Sequence, residues 1–477
     1  MVAAAKAKAL LRREGGERWP HHLTLSRLVG RSLRRGDHTL VRLAPGSDPS
    51  WLISLLVPLA LSDSRLAVVV SEPLRQRLLQ LELPRLMAAD PALALPCLEG
   101  DDPGDARVWL LSHRQLVAAW QRRALGDRQL VIPEAEQLDA QLREALAIRL
   151  EPAHWDQLQR AQPSAAAAVL ELHGRLSRQV LGHPPSPDGL VSLAEEDEAP
   201  LRQLLALLGP LPQPWPRWLA SGNRQWTSWA QRDLRLLQWT LHRQPLAPLE
   251  VLEGLLEHRG AVVLGQLGPA GPTGAQLGLS PQVCVDLGDP PLADPLPLFA
   301  PLRQPLPNSP HFGQHLLEQC RRLVLGQAGL TVILLDDRAL RRALTSALAA
   351  EFGSRVVQES TAPEANGVLC CSWSWWLEQQ QRLPLPCQVV VALLPIASLE
   401  DPLTAAQVQA LRRQGRDWFR ERLLPDGLTR LQLAVAGLRR VGGRLAILDG
   451  RLRGRSWGRQ VLAALDPWLQ LSRLLPH

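Results

Sequence analysis

The stretch from Arg412 to Leu465 constrains the fold of this chain more than any other. Trp418, Phe419, Leu423 and Leu424 are spaced as the apolar face of an amphipathic helix, which passes through Pro425 into a second helical segment. Gly442-Gly443 breaks the pattern, Arg444 to Asp449 reads as a strand, and glycines and arginines make a turn beyond it. Helices alternating with short apolar strands belong to an α/β fold built on a parallel sheet. Similar strands punctuate the rest of the chain: His38 to Leu43, Gly260 to Gly268 and Leu330 to Leu335, with Val108 to His113 a strand ending in Ser-His and Gln129 to Leu138 a strand followed by an acidic turn.

A chain of 477 residues has room for two or three domains, each with its own core. The longest clear apolar run, Leu52 to Leu61, falls well short of the roughly 20 residues a membrane span requires. The N-terminal MVAAAKAKALLRREGG has neither a sustained apolar core nor a cleavage pattern, so the expectation is a cytoplasmic protein with no membrane partner. Cysteines 97, 284, 320, 370, 371 and 387 show no CxxC spacing and read as buried reduced thiols, with no metal site expected. A formal charge of +7 and a pI near 9.7 suit a polyanionic partner. Lys6 and Lys8 are the only lysines, so nearly all basic charge is arginine.

Phe419, Leu424-Pro425, the helix from Gln432 to Arg439, Leu448-Asp449 with Arg451, and Trp457-Gly458 follow one another as ordered landmarks. Together they resemble the last segment of DinG/XPD-type (superfamily 2) ATP-dependent DNA helicases. The run VVVALLPIASLEDP, Val389 to Pro402, resembles a second landmark of that family. The likeness extends from about Trp19 to Leu465. It implies an α/β fold of two RecA-like parallel-sheet, P-loop-type domains with a helical insertion in the first. Residues 17–149 with 250–290 would form the first domain, 150–249 the helical insertion, and 291–477 the second domain.

Against that family the chemistry is eroded, which makes the chain a divergent member with degenerate ATPase motifs. Strand, small-residue loop and helix at His38 to Pro58 have the layout of a phosphate-binding loop, in which loop amides and a helix N-terminus face an anion. Gly46, Ser47 and Ser50 are its vestigial candidates. The second glycine of GxxxxGK[ST] is matched by Pro49, its lysine by Ser50 or Trp51, and its hydroxyl residue by Trp51 or Leu52. Pro49 removes an amide donor, and no lysine follows position 8 to grip phosphate. In the acidic motif, Pro133 stands where the family has its magnesium aspartate and Glu136 where it has histidine, leaving Glu134. A helix-capping role suits Glu134 better than a catalytic one.

Of the arginine-finger motif, Gln432 and Arg439 remain; Ala436 stands for the first arginine. The coupling hydroxyls are replaced by Gly265-Gln266-Leu267, and Ser71-Glu72 stands where threonines would touch DNA. Only Cys97 lies in the region of the family's iron-sulfur module, so no cluster is expected. His21 and His22, near the place of an adenine-reading signature, read as exposed polar residues at a helix start. Gln141 to Leu246 reads as helical, with Leu234, Leu236, Leu237, Trp239 and Leu241 on one helix, and at most one or two of Trp215, Trp218, Trp226, Trp229 and Trp239 facing nucleic acid. The proline-dense Pro281 to Pro310 reads as a linker or extended strap rather than a core element.

These readings favour a pseudo-helicase without ATP hydrolysis, needing no cofactor and binding DNA, single-stranded or at a junction, or a protein partner. Two alternatives stand beside it. One is a divergent but active helicase using ATP and magnesium. The other is a structural interaction protein without nucleic-acid binding.

Overall fold

The structure, a computed structural model, describes residues 19–184, 188–222, 225–257, 259–268, 274–289, 292, 294–326 and 328–471. Its strands, in chain order, are β1 (Thr39–Leu43), β2 (Leu66–Val69), β3 (Cys97–Glu99), β4 (Val108–Leu111), β5 (Gln129–Ile132), β6 (Ile148–Leu150), β7 (Leu190–Leu193), β8 (Trp226–Asp233), β9 (Gln238–Pro245), β10 (Ala261–Gln266), β11 (Val283–Leu287), β12 (Leu296–Phe299), β13 (Thr331–Leu334), β14 (Val356–Gln358), β15 (Val368–Cys371), β16 (Gln388–Val391), β17 (Arg444–Ile447) and β18 (Trp468–Gln470). Two parallel sheets of seven strands dominate, ordered β11-β1-β10-β5-β2-β4-β3 and β14-β15-β13-β16-β17-β12-β18. Their central strands are apolar on both faces because helices cover each side: β2, β4, β13, β15 and β16 are buried at every position. This is the RecA-like pair of sheets that the family resemblance implies.

In the first sheet, β1 lies between β10 and β11, with Leu40 opposite Val263 and Cys284. The loop after its C-terminal end leads into the helix Trp51–Ala60, whose side chains are all buried. A ligand crevice in an open parallel sheet forms at such strand ends.

Two sequence-based expectations change. The inserted segment is not all helical. It holds an antiparallel sheet, β6-β9-β8-β7, packed on the helices Pro152–Ala161, Ala166–Gly182 and Glu195–Leu207. Trp239 and Leu241 lie on β9, pointing inward two residues apart, while Leu234, Leu236 and Leu237 form the exposed tip of the β8–β9 hairpin. Leu237 adopts φ +52°, a turn conformation that carries no glycine or asparagine signature here. The connector is not a loose strap either: β12 is an interior strand between β17 and β18, with Leu296 and Leu298 buried and Pro297 facing outward. After β2 the chain turns into a long helical segment. It continues as helix from Glu72 to Ala89 with a π turn at Leu78–Glu82, because proline at the first positions of the last segment needs no helical donor.

Aromatic packing explains the insertion's tryptophans. Trp155 meets Trp215 edge-on at 4.9 Å and stacks with His173 at 4.5 Å, and Trp239 joins the same cluster. Trp215, Trp218 and Trp239 are buried, and half-buried Trp229 stacks on His242 across the hairpin. Beneath them Arg243, only 3% exposed, bonds Glu198 at 2.9 Å, Ser221 Oγ at 2.6 Å and Ser228 Oγ at 2.7 Å. Burial pulls its guanidinium down to about 10, against the attraction of Glu198. A buried charge is tolerated when satisfied in this way. No described helix is long and apolar enough to cross a membrane.

Candidate functional site: the cleft between the two sheets

The loop after β1 uses its own amides. Ser47 N–H donates to Ala44 O at 3.0 Å, Ser50 N–H to Asp48 Oδ1 at 2.9 Å, and Trp51 N–H to Asp48 O at 3.2 Å. Ser47 Oγ also turns back to Ala44 O, at 2.7 Å. Gly46 N–H donates to the side-chain oxygen of Gln266 at 2.7 Å, and Asp48 N–H reaches Asp289 Oδ2 at 3.3 Å. Pro45 and Pro49 offer no donor. The amides that the layout would turn to an anion are thus held by carbonyl and carboxylate oxygens of the chain itself.

The second sheet's flank closes onto this loop. Gly46 sits at φ +85°, and a Cβ there would stand 2.6 Å from the carbonyl oxygen of Ala436. Ala436 is the position matched to the family's first arginine finger. Arg440 donates from Nε to Gly46 O at 2.5 Å and pairs with the buried carboxylate of Asp289. Gln432 is buried at the boundary itself: its Nε2 donates to Ala464 O at 2.8 Å, and its amide presses across on Gly268 of the first domain, where a Cβ would collide with it. Arg439 turns away, donating to Asp294 O and Leu465 O within its own domain. The arginine that reaches the loop is therefore Arg440, one residue beyond the motif match. In the 3₁₀ turn Leu438–Val441 successive residues point about 120° apart, so a one-residue difference decides which domain the guanidinium meets.

The acidic motif is also turned inward. Both Glu134 oxygens accept from Ser71, Oε2 from N–H and Oε1 from Oγ, each at 2.8 Å. Ser71 is the N-cap of the helix beginning at Glu72, so Glu134 stabilises a helix start, that of a neighbouring segment rather than its own. Burial raises its carboxyl, opposed by the two Ser71 bonds. Glu136 accepts from Gln266 N–H at 3.0 Å, and its carboxylate lies where a Cβ on Gly265 would be 2.6 Å away. Burial, opposed by backbone amide bonds and reinforced by the charge of Glu134, pushes it up to about 8. Gln266 thereby links Glu136 to Gly46, through its amide and its side chain. Among the described residues no cluster of three or more His, Cys, Asp or Glu is placed to hold a metal ion.

His22 corrects an expectation: it is buried, with Nδ1 2.7 Å from Ser54 Oγ and Nε2 3.5 Å from Ser50 Oγ. It packs edge-on against Trp19 at 5.3 Å. Ser50 therefore faces the helix before β1, Gly46 faces Ala436 and Arg440 across the cleft, and Ser47 is buried with its hydroxyl turned back to Ala44 O.

Farther along the domain boundary, Arg422 of the second domain bonds Asp139 at 3.1 Å and Asp426 at 2.9 Å, and Arg143 bonds Asp139 at 2.7 Å. Burial works against the Asp139 carboxylate, but Arg143 and Arg422 together hold it below its usual range. Gln407 donates to Leu246 O at 3.0 Å, and Arg382 to Gln76 Oε1 at 3.0 Å. Sequence reasoning missed Arg440, Asp289, Gln266 and Arg422 as joint residues. The one visible signal was Gln266, standing where the family carries coupling hydroxyls.

The sequence matches no family model. It is 28% identical over 176 residues to the ATP-dependent DNA helicase YoaA of Escherichia coli (strain K12), a match covering 34% of this chain and 28% of that protein. The fold is similar to Xpd4 of S. tokodaii, with TM-score 0.59 at 11% identity, covering 92% of this chain and 97% of that one. An apo form of XPD gives TM-score 0.60 at 13% identity, covering 94% and 100%. These matches give the chain a fold similar to that of two XPD structures and, over about a third of its length, a sequence similar to that of a protein named as an ATP-dependent DNA helicase, of which it spans little more than a quarter.

Proposed function

We propose that this chain is a pseudo-helicase: a DinG/XPD-type homologue that does not hydrolyse ATP and acts by binding nucleic acid, its former nucleotide cleft serving as a fixed joint between two RecA-like domains. The observation that carries this reading is the loop after β1. Its amides are engaged by Ala44, Asp48, Gln266 and Asp289, and its glycine is covered by Ala436 and Arg440. Mg-ATP does not fit that donor set. Among the described residues there is no lysine to meet the β- and γ-phosphates, Pro133 replaces the metal-binding carboxylate, and both oxygens of Glu134 are taken by Ser71. No step through ATP is therefore assigned.

Binding of DNA rests on two supports: the relative YoaA is named a DNA helicase, and the chain carries a formal charge of +7, almost all arginine. Titration calorimetry with Mg-ATP, paired with phosphate release in the presence and absence of single-stranded DNA, tests the proposal. No heat of binding and no DNA-stimulated turnover are expected from the folded protein. Saturable ATP binding with turnover stimulated by DNA would overturn it and establish the divergent active helicase instead.

A further inference from the structure

Arg412, Trp418, Phe419 and Trp457 form a contiguous run on the second domain. The Arg412 guanidinium lies 4.8 Å from the Trp418 ring centroid, Trp418 meets Phe419 at 5.9 Å, and Phe419 meets Trp457 at 5.6 Å. Each ring is half-buried, and Phe419 and Trp457 pack one side against the domain's core. Rings held that way have fixed positions, and each keeps part of its surface exposed to a partner.

The charge around them is one-sided. Arg416 pairs with Glu421 and Arg420 with Asp417, so those four cancel. Arg412, Arg413, Arg455 and Arg459 are all exposed and form no ion pair with a carboxylate among the described residues. Arg412 and Arg413 end the helix Pro402–Arg413, whereas Arg455 caps the short helix Arg451–Gly454 and Arg459 lies in the first turn of the helix Gly458–Ala464, one on each side of Trp457. Two segments distant in sequence thus bring unneutralised guanidinium groups to both ends of one aromatic run.

From this arrangement we infer that the Trp418–Phe419–Trp457 surface is a binding site for single-stranded nucleic acid, with bases on the rings and phosphates on Arg412, Arg413, Arg455 and Arg459. The inference rests on the proposed nucleic-acid function and locates it. The physical match is specific to a strand with exposed bases. An aromatic face accepts any base, guanidinium groups accept the backbone at regular intervals, and a duplex hides the faces the rings require. An acidic polypeptide would satisfy the arginines but leave the rings without partners.

The test is fluorescence anisotropy with a labelled oligothymidylate across a salt series, on the full chain and two variants. R412Q/R413Q/R455Q/R459Q changes only exposed side chains. It is expected to weaken binding and to flatten the slope of log affinity against log salt, by about 0.7 for each phosphate no longer neutralised. Trp418→Ala is expected to weaken binding by about tenfold with the salt slope unchanged, the signature of a missing stacking platform. If the full chain does not bind the oligonucleotide at low salt, the nucleic-acid reading itself fails. If it binds and the quadruple variant binds equally with the same slope, the reading stands and this surface is excluded. Equal competition by polyglutamate and by unlabelled oligothymidylate would overturn the assignment in favour of an acidic protein partner.

Discussion

Replacing Arg440 by alanine should open the joint between the two domains. The Asp289 side chain is fully buried and that of Arg440 is 22% exposed. One carboxylate oxygen of Asp289 has no hydrogen-bond partner, and the other would keep only the 3.3 Å contact from Asp48 N–H. Leaving a buried charge unpaired costs about 3–5 kcal/mol. Water can reach the vacated guanidinium site, so about 2–3 kcal/mol is the expected weakening here. At about 1.4 kcal/mol per decade, that raises the population of the opened joint roughly 30- to 140-fold.

Hydrogen exchange read by mass spectrometry measures it directly. Peptides covering residues 44–53 and 436–443 should exchange faster by that factor, whereas those of the insertion should not change. The double variant R440A/D289N, which removes the stranded charge, should recover more than half of the protection. Unchanged exchange of residues 44–53 in R440A would refute the reasoning, because the guanidinium would then contribute nothing to closing the cleft.

Other consequences are as direct. Glu136 has its folded-state carboxyl raised to about 8 from 4.5, so the folded state holds an extra proton between those values and stability falls as pH rises through that window. Glu136→Gln should remove the fall, gaining up to about 4 kcal/mol over wild type by pH 8 and little near pH 4.5; parallel melting curves for the two proteins at both pH values would discount the shift. Gly46→Ala combines a left-handed backbone position with a Cβ 2.6 Å from Ala436 O, so it should lower the melting temperature, the backbone alone costing about 1–2 kcal/mol. An unchanged melting temperature would mean the joint yields freely at that point. Leu237→Gly relieves the φ +52° strain at the exposed hairpin tip and should stabilise by roughly 1 kcal/mol; a drop in melting temperature would show the leucine packs on something. Arg243→Ala leaves Glu198 buried without its strongest partner and should cost about 3–5 kcal/mol in urea unfolding, with a small effect indicating that Arg202 takes over.

How much was legible follows from what kind of constraint each residue obeys. The parallel sheets could be read because β2, β13, β15 and β16 are continuous apolar runs bounded by turn residues, a pattern that burial on both faces imposes. The loss of the phosphate-gripping lysine was legible from composition alone. The insertion was not. Trp239 and Leu241 alternate with period two, but Leu234, Leu236 and Leu237 crowd the adjacent turn and mimic a helical face. Arg440 could not be told from Arg439, since adjacent residues share chemistry and differ only in direction. Asp289 lay in a proline-dense stretch that gave no sign of a buried carboxylate. Contacts between segments far apart leave no periodic trace, and the joint is made of such contacts.

The strand β12 has a consequence for how the chain is made. It is the first strand of the second sheet to leave the ribosome, yet its two neighbours, β17 and β18, are the last. Leu296 and Leu298 must therefore wait, unpartnered, while β13 to β16 and their helices are synthesised. A chaperone or the completed first sheet has that interval in which to shield them, and a ribosome stalled before Arg444 would release a nascent chain with an apolar strand exposed at both edges.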